Sequence, residues 1–112
     1  MADYTGSAEA TARWQALSDA QRNERQAAGF KAWGEWADRN QTVIVAGGSP
    51  LGRTKLVSTT GVSDIRNNLA AYVVVCAESH EAAARLFVNH PHFTLFPGEG
   101  VEVMECLPMP GP

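Results

Sequence analysis

The stretch AAYVVVCA at residues 70–77 decides the fold, because it is the most strongly β-favouring segment of the chain. Its valines and tyrosine are β-branched or aromatic, and such residues favour a pleated, half-buried strand. We therefore predict a strand over residues 70–77. The continuous apolar run TVIVA at residues 42–46 predicts a second, buried strand. A β-sheet is thus expected at the centre of the protein.

Weaker signals surround these two strands. The sequence GGSP at residues 47–50 is typical of a turn, and residues 53–58 predict the returning strand of a hairpin. Residues 61–68 are predicted as a loop. The last predicted strand covers residues 101–107, and alternation places every second side chain on one face. That face carries Val101, Val103, Glu105 and Leu107.

Helices are predicted on both sides of the strands. Ser18, with a glutamine three residues later, has the pattern of a capping box and predicts a helix over residues 19–39. A shorter helix is expected over residues 7–17. Ser79 is a suitable N-cap for a further helix over residues 80–89. Long helices that alternate with strands predict a two-layer α+β arrangement.

A short strand at residues 2–5 would complete the order β-α-β-β-β-α-β. That order is a ferredoxin-like split βαβ fold with one added hairpin strand, in which two helices cover one face of an antiparallel sheet. The other face lacks a helical cover, which predicts a homodimer. The 112 residues form a single predicted domain, with residues 1–6 and 108–112 expected to be irregular.

Composition limits the classes of function. The net charge is 9 − 12 = −3 and the pI is about 5.5, so the chain lacks the basic character that binds nucleic acid or anionic membranes. No apolar run is long enough to span a bilayer, and no secretory leader is visible, so a cytoplasmic location is predicted. Two cysteines are too few for a disulfide scaffold.

The sequence His90-Pro91-His92 is the strongest candidate for chemistry. In extended backbone, residues i and i+2 point to the same side, so the two imidazoles would lie side by side. Imidazoles exchange protons near neutral pH, and a pair can contribute to a metal site. Because zinc needs three or four protein ligands, we predict an acid–base role for His90 and His92, with no metal and no cofactor. The alternative is a simple helix end.

Three further residues are candidates for the site. Glu105 is a carboxylate on a mostly apolar strand face, which favours a base or a substrate anchor. The alternative is an exposed carboxylate paired with Arg53 or Arg66. Tyr72 alternates with Val73 on the central strand and is predicted to contact a ligand, with Arg53 as a second ligand-binding residue.

Other residue types favour structural roles. Cys76 and Cys106 lie on predicted strands and are expected to be buried small hydrophobes, without the base that a nucleophilic thiol needs. The helical spacing of the tryptophans favours core positions, although they could line a pocket. Residues 47–52 lack the Lys-Ser/Thr ending of a phosphate loop. The tryptophans are Trp14, Trp33 and Trp36.

Several segments occur in a characteristic order and spacing. They are VAGGSPLG (45–52), AYVVV (71–75), AESHEAA (77–83), HPH (90–92), VEV (101–103) and ECLPMP (105–110). Together they resemble the YCII-related family, whose relatives include the DGPF-domain proteins, and the last segment is similar to one bacterial branch. The resemblance covers most of the chain after about residue 30.

The resemblance implies a dimeric α+β barrel of two ferredoxin-like subunits. One family member is described as a dehydrochlorinase, and structural neighbours include muconolactone isomerases and cofactor-free monooxygenases, an analogy of fold only. Some members carry a histidine on the first long helix and an aspartate before the later proline, proposed as an acid–base dyad. Here His90 takes the place of the aspartate and the helix position falls near Phe30, so this dyad does not carry over.

Two functions are consistent with these features. The first is a cofactor-free enzyme that performs proton transfer, elimination or isomerisation on a cyclic or aromatic metabolite, with His90 or His92 moving the proton and Glu105 assisting. The second is a non-catalytic dimeric module that binds a ligand or a partner. We favour the first as the more specific hypothesis, and neither involves nucleic acid or a membrane.

Overall fold

Helices and strands alternate along the computed structural model, which describes residues 1–111. The α+β fold that the sequence predicts is confirmed. The elements are β1 (Ala2–Thr5), α1 (Ala8–Gln15), α2 (Asp19–Arg39), β2 (Ile44–Pro50), β3 (Thr54–Ser58), β4 (Gly61–Ile65), β5 (Leu69–Val75), α3 (His80–Arg85), α4 (Pro91–Thr94) and β6 (Gly100–Val103).

Four strands form one antiparallel sheet in the order β2-β5-β1-β6, and β3 pairs with β4 in a separate hairpin. The short strand β1 is central, because Ala2 lies opposite both Val73 of β5 and Val103 of β6. Of the two possibilities that the sequence left open for residues 2–5, the short strand is the one observed, as β1. The last proline, Pro112, lies outside the described residues, and residues 108–111 form no helix or strand.

The hydrophobic core lies between the sheet and the helices. Alternation along β1 places Ala2 and Tyr4 on the same face, where they meet Val73, Trp36 of α2 and Phe87. These five side chains are at least 95% buried. Burial of large aromatic groups dominates the energetics of a core of this size. The core therefore holds β1 in place even though its sequence is short and partly polar.

Two strand predictions are wrong, for related reasons. Residues 47–50 do not turn but continue β2 along β5, and residues 61–68 contain β4 rather than a loop. The register of β2 shifts at Gly48, whose φ of 70° fits a β-bulge. Both glycines thus lie within the strand β2 that pairs with β5, and β3 pairs with β4 and not with β2.

The helix predictions are largely confirmed. Ser18 and Gln21 form the predicted capping box, and α2 covers residues 19–39 as expected. The helix predicted over residues 80–89 is shorter, since α3 ends at Arg85. No helix within residues 1–111 is both long and apolar enough to cross a membrane.

Candidate functional site

A cavity of about 560 Å³ lies between α2 and the sheet. Its wall is largely apolar, and no Lys, Arg, Asp or Glu is among the lining residues of the described chain. A site of this size and composition suits a small, uncharged molecule with a ring. Its apolar lining includes Phe30, Trp33, Ile44, Pro50, Ala71 and Phe96.

Three polar side chains, Tyr4, His90 and His92, meet beside this cavity and are called the histidine cluster below. Tyr4 reaches it from the central strand β1 and is 1% exposed, while His90 and His92 are 0% and 6% exposed. The ring of Tyr4 lies 4.9 Å from that of His90 and 5.1 Å from that of His92, between centroids. Tyr4 and His92 line the cavity.

The chain between α3 and α4 carries both histidines into the core. Asn89 has a φ of 58°, a left-handed conformation that asparagine tolerates better than most residues. Pro91 then occupies the start of α4, where its missing N–H costs nothing, and His90 is the N-cap. The prediction of extended backbone through His90-Pro91-His92 is therefore wrong. The two rings come together because both pack against Tyr4.

Hydrogen bonds fix the proton positions on His90. Its Nδ1 accepts a bond from the backbone N–H of His92 at 3.0 Å, so Nδ1 carries no proton. A neutral imidazole then holds its proton on Nε2, which donates to the hydroxyl oxygen of Tyr4 at 3.2 Å. The hydroxyl of Tyr4 has no other partner among the described residues. Its own proton is therefore free for a further hydrogen bond.

The proton on His92 is fixed in the same way. Its Nε2 lies 2.7 Å from the carbonyl oxygen of Thr5, which can only accept, so Nε2 carries the proton. A Cβ at Gly98 would lie 2.2 Å from Nε2, so this glycine lets the backbone pack against the ring. Within residues 1–111, Nδ1 of His92 has no hydrogen-bond partner and is not sealed from solvent. His92 is among the residues that line the cavity, and Nδ1 is the ring nitrogen left free to accept a hydrogen bond.

Burial makes all three groups of the histidine cluster prefer their neutral forms. Burial, and secondly the charge that His92 carries when it is protonated, lower the pKa of His90 to about 4. Burial also lowers the pKa of His92, although the hydrogen bond to Thr5 opposes this shift. The pKa of Tyr4 is raised above its ordinary value by burial. At neutral pH the cluster is uncharged, with one donor at Tyr4 and one acceptor at His92.

Aromatic side chains enclose the cluster and fix its geometry. The rings of Trp33 and Trp36 approach His90 at 4.5 and 4.6 Å between centroids, both steeply inclined to it. Trp36 is itself fixed, since its Nε1–H donates to the carbonyl oxygen of Leu86 at 2.8 Å. The prediction that tryptophans occupy the core is confirmed for Trp36, which is 5% exposed, whereas Trp14 is half-buried beside Phe96.

Glu105 and Arg53 are not brought to the cluster. Strand β6 ends at Val103, so Glu105 lies beyond it on exposed backbone, with its Oε1 3.5 Å from Nδ1 of His80. The alternative prediction, an ion pair with an arginine, is not observed for Glu105 in the described chain. Arg53 follows β2 and borders a separate cleft beside the β3–β4 hairpin.

Tyr72 borders the cavity, as the sequence suggests, but alternation along β5 places its ring elsewhere. Tyr72 lies opposite Asp3, whereas its neighbour Val73 lies opposite Ala2 in the core. The ring of Tyr72 therefore projects from the sheet face that carries Asp3, away from the histidine cluster. We call this face, opposite the core, the outer face.

The prediction that both cysteines are buried is wrong. Cys76 directly follows β5 and Cys106 lies beyond β6, and both are exposed. Each was predicted to lie inside a strand that is in fact shorter. Neither thiol belongs to the histidine cluster.

Tyr4 is the residue of the site that sequence analysis missed. The segment MADYT is short and contains Asp3, so the possible strand at residues 2–5 gave no reason to place Tyr4 in a site. The available signal was the pair Ala2 and Tyr4, two apolar residues at the spacing that places both on one face. A central strand is paired on both sides, which compensates for its weak local preference.

The chain has no match among protein-family models, curated proteins or solved structures. The resemblance to YCII-related proteins therefore stays a prediction. Within the described residues, no group of three or more His, Cys, Asp or Glu side chains is placed to hold a metal ion. The histidines also do not converge on one point, because Nδ1 of His90 accepts a backbone bond and Nε2 of His92 donates one.

Proposed function

We propose that the protein is a cofactor-free enzyme that moves a proton on an uncharged cyclic or aromatic metabolite. The observation that carries this proposal is the histidine cluster itself: a hydroxyl donor and an imidazole acceptor, both buried and neutral, beside an apolar cavity. Acid–base groups with shifted pKa values in a cleft are typical of catalytic sites.

The donor and acceptor define the polar groups of the substrate. Tyr4 offers its hydroxyl proton, so a bound molecule would present an oxygen acceptor such as a ring carbonyl. His92 offers the lone pair of Nδ1, so the molecule would also present an acidic proton. The cavity lining of the described chain holds no cationic side chain, which disfavours carboxylate and phosphate substrates.

In the proposed reaction, His92 is the base, Tyr4 stabilises the negative charge and His90 positions Tyr4. His92 Nδ1 takes a proton from carbon next to the carbonyl, and the electrons of that C–H bond move toward the carbonyl oxygen. Tyr4 stabilises the developing negative charge through its hydrogen bond and keeps its proton, because burial raises its pKa. His90 donates to Tyr4 and positions it. In an isomerisation His92 returns the proton to another carbon; in an elimination the electron pair expels a leaving group.

The proposed fold is the ferredoxin-like one, and two features support it. The strand order β2-β5-β1-β6 with all neighbours antiparallel is the order expected for two split βαβ units. Helix α2 connects β1 to β2, and α3 connects β5 to β6, on the face that holds the core. The β3–β4 hairpin is then an insertion between the two units.

The second candidate function is a non-catalytic ligand-binding module. The specific observation that favours it is the absence of a carboxylate or a cation from the cavity lining of residues 1–111, which leaves His92 as the single candidate base. Binding without turnover would support this alternative over the enzyme.

The experiment combines ligand binding with proton exchange. Cyclic ketones, lactones and phenols are screened by thermal shift, and each binder is followed by NMR in D₂O for loss of the signal of the proton next to its carbonyl. Wild type is expected to exchange that proton, while His92→Gln should bind but exchange at least ~100-fold more slowly, since general base catalysis contributes about that much. Glutamine keeps a donor for the Thr5 carbonyl and lacks the Nδ1 base.

Two glycine variants serve as a matched pair. A Cβ at Gly34, on the cavity wall, or at Gly52, outside the cavity, would meet no atom within 4 Å. Gly34→Leu should therefore fold and block binding, whereas Gly52→Leu should leave binding unchanged. Equal binding by both variants, or undiminished exchange in His92→Gln, would overturn the proposal.

A further inference from the structure

Residues 51–70, called the arm below, form the most exposed part of the protein. They comprise the β3–β4 hairpin and its two connections to the sheet, and every residue except Thr54 is exposed. A two-stranded hairpin without further packing is marginally stable in water. Several apolar side chains of the hairpin are nevertheless open to solvent, among them Leu56 at 43%, Val57 at 74% and Val62 at 66%. This pattern indicates a surface that another chain covers.

The charge of the arm is opposite to that of the rest of the chain. Arg53, Lys55 and Arg66 carry three positive charges and Asp64 one negative charge, a net charge of 3 − 1 = +2. The whole chain has −3, so the remainder has −3 − 2 = −5. Lys55 pairs with Asp64 at 2.6 Å within the hairpin. Arg53 and Arg66 have no acidic partner within residues 1–111.

The outer face of the sheet carries the complementary charge. Asp3 of β1 and Glu102 of β6 lie directly opposite each other there, a like-charge arrangement that is unfavourable between neighbouring strands. Neither carboxylate forms an ion pair with a cation of the described chain. Tyr72 and Val74, on the same face, are half-buried and add apolar surface beside the carboxylates. A cationic partner would relieve the repulsion between Asp3 and Glu102.

We propose that the arm of one copy lies across the outer face of a second copy, with Arg53 and Arg66 against Asp3 and Glu102. The contact is reciprocal, so a two-fold dimer buries two arms and two sheet faces. The arm is long enough, because a five-residue strand spans ~17 Å and the two outer strands of a four-stranded sheet lie only ~14 Å apart. This inference is independent of the proposed catalytic activity.

Sedimentation velocity of four variants and the wild type tests the proposal. Wild type should be a dimer, and both Arg53→Glu/Arg66→Glu and Asp3→Lys/Glu102→Lys should weaken it by ~100-fold, because like charges across an interface suppress association. The chain that combines all four substitutions should dimerise again, since the opposite charges then face each other. Lys31→Glu/Arg39→Glu is the control on the exposed surface of α2 and should remain a dimer.

Circular dichroism on each variant separates loss of association from loss of folding. A monomeric wild type, dimers that survive the charge reversals, or a folded quadruple variant that stays monomeric would each overturn the proposal. Arg53 and Arg66 are exposed residues of the arm, so their substitutions test the contact even if Asp3→Lys disturbs β1. None of these outcomes depends on enzymatic turnover.

Discussion

The histidine cluster and the arm represent opposite ways of placing polar and apolar groups. At the cluster, Tyr4, His90 and His92 are buried and uncharged, and each proton position follows from a named hydrogen bond. On the arm, charged and apolar side chains are alike exposed, and β3 and β4 pair only with each other. The first region has the packing of a preorganised site, and the second has the composition of an interface.

Burial determines the protonation states of the titratable groups in the histidine cluster. Removing water from His90 and His92 lowers their pKa values and strengthens their hydrogen bonds. The same titratable groups on the arm would be screened by solvent and would hold no fixed geometry. Substitutions in the two regions should therefore differ strongly in their effect on stability.

The largest difference is expected from loss of a core aromatic group. Trp36→Ala should lower the free energy of unfolding by about 3–5 kcal/mol, because it leaves a cavity beside His90 and removes the bond to Leu86. On the arm, Val57→Ala should change it by less than ~0.5 kcal/mol, since Val57 is exposed. Urea denaturation at a concentration where the chain sediments as a monomer measures both. Similar costs for the two variants would remove the distinction between the regions.

The next effect is a pH dependence that belongs to the cluster. The pKa of His90 is about 4 in the folded protein and 6.5 in the unfolded chain. The stability that the neutral imidazole contributes is therefore fully present above pH 6.5 and is lost as the pH falls toward 4. This contribution amounts to about 3 kcal/mol. His90→Asn keeps an N-cap acceptor for the backbone N–H of His92 and should lack this part of the pH dependence. Parallel curves for the variant and wild type between pH 6.5 and 4 would contradict the assignment.

The bulge in β2 allows a comparison of two adjacent glycines. A Cβ at Gly48 would lie 1.7 Å from the carbonyl oxygen of Tyr72, on backbone with a φ of 70°. A Cβ at Gly47 would meet nothing within 4 Å. Gly48→Ala should lower the free energy of unfolding by ~1–3 kcal/mol or more, because that is the range for a strained backbone. Gly47→Ala should leave the free energy of unfolding almost unchanged. Thermal denaturation of the pair distinguishes the bulge from the turn that the sequence predicted, which would not require this asymmetry.

The smallest effect is expected from the ion pair on the arm. Lys55 and Asp64 are 2.6 Å apart, but their side chains are 68% and 84% exposed. Exposed pairs contribute little, so Lys55→Ala should change the monomer's free energy of unfolding by less than ~0.5 kcal/mol. A loss above about 1 kcal/mol would mean that the arm is a cooperative part of the fold.

Local patterns were enough to predict much of the fold and little of the site. The capping box of Ser18 and Gln21 and the apolar run of β5 are signals contained within a few residues, and both were confirmed. The errors concern long-range pairing. The continuation of β2 through Gly48 depends on β5, and the exposure of Glu105 depends on where β6 loses its partner.

The site combines residues that are distant in sequence. Tyr4 and His90 are 86 residues apart, so no local pattern could relate them. His90-Pro91-His92 was predicted as a chemical motif, but its proton arrangement required the N-cap geometry of α4 and the carbonyl of Thr5. Strand alternation alone does not say which face of β5 points to the core, so the sequence could not show on which side the ring of Tyr72 lies. The pairing of Tyr72 with Asp3 identifies that side as the outer face.

The proposed function requires a neutral histidine cluster with protons on Nε2 of both histidines, so that Tyr4 can donate to a bound molecule and His92 can accept from it. Long-range ¹H–¹⁵N NMR of the imidazole nitrogens, with His80 assigned through His80→Gln, tests this directly. At pH 7 we expect the Nε2–H form for His90 and His92, and for His90 no protonation until the pH approaches about 4. A proton on Nδ1 of either residue, or protonation of His90 near pH 6.5, would contradict the account.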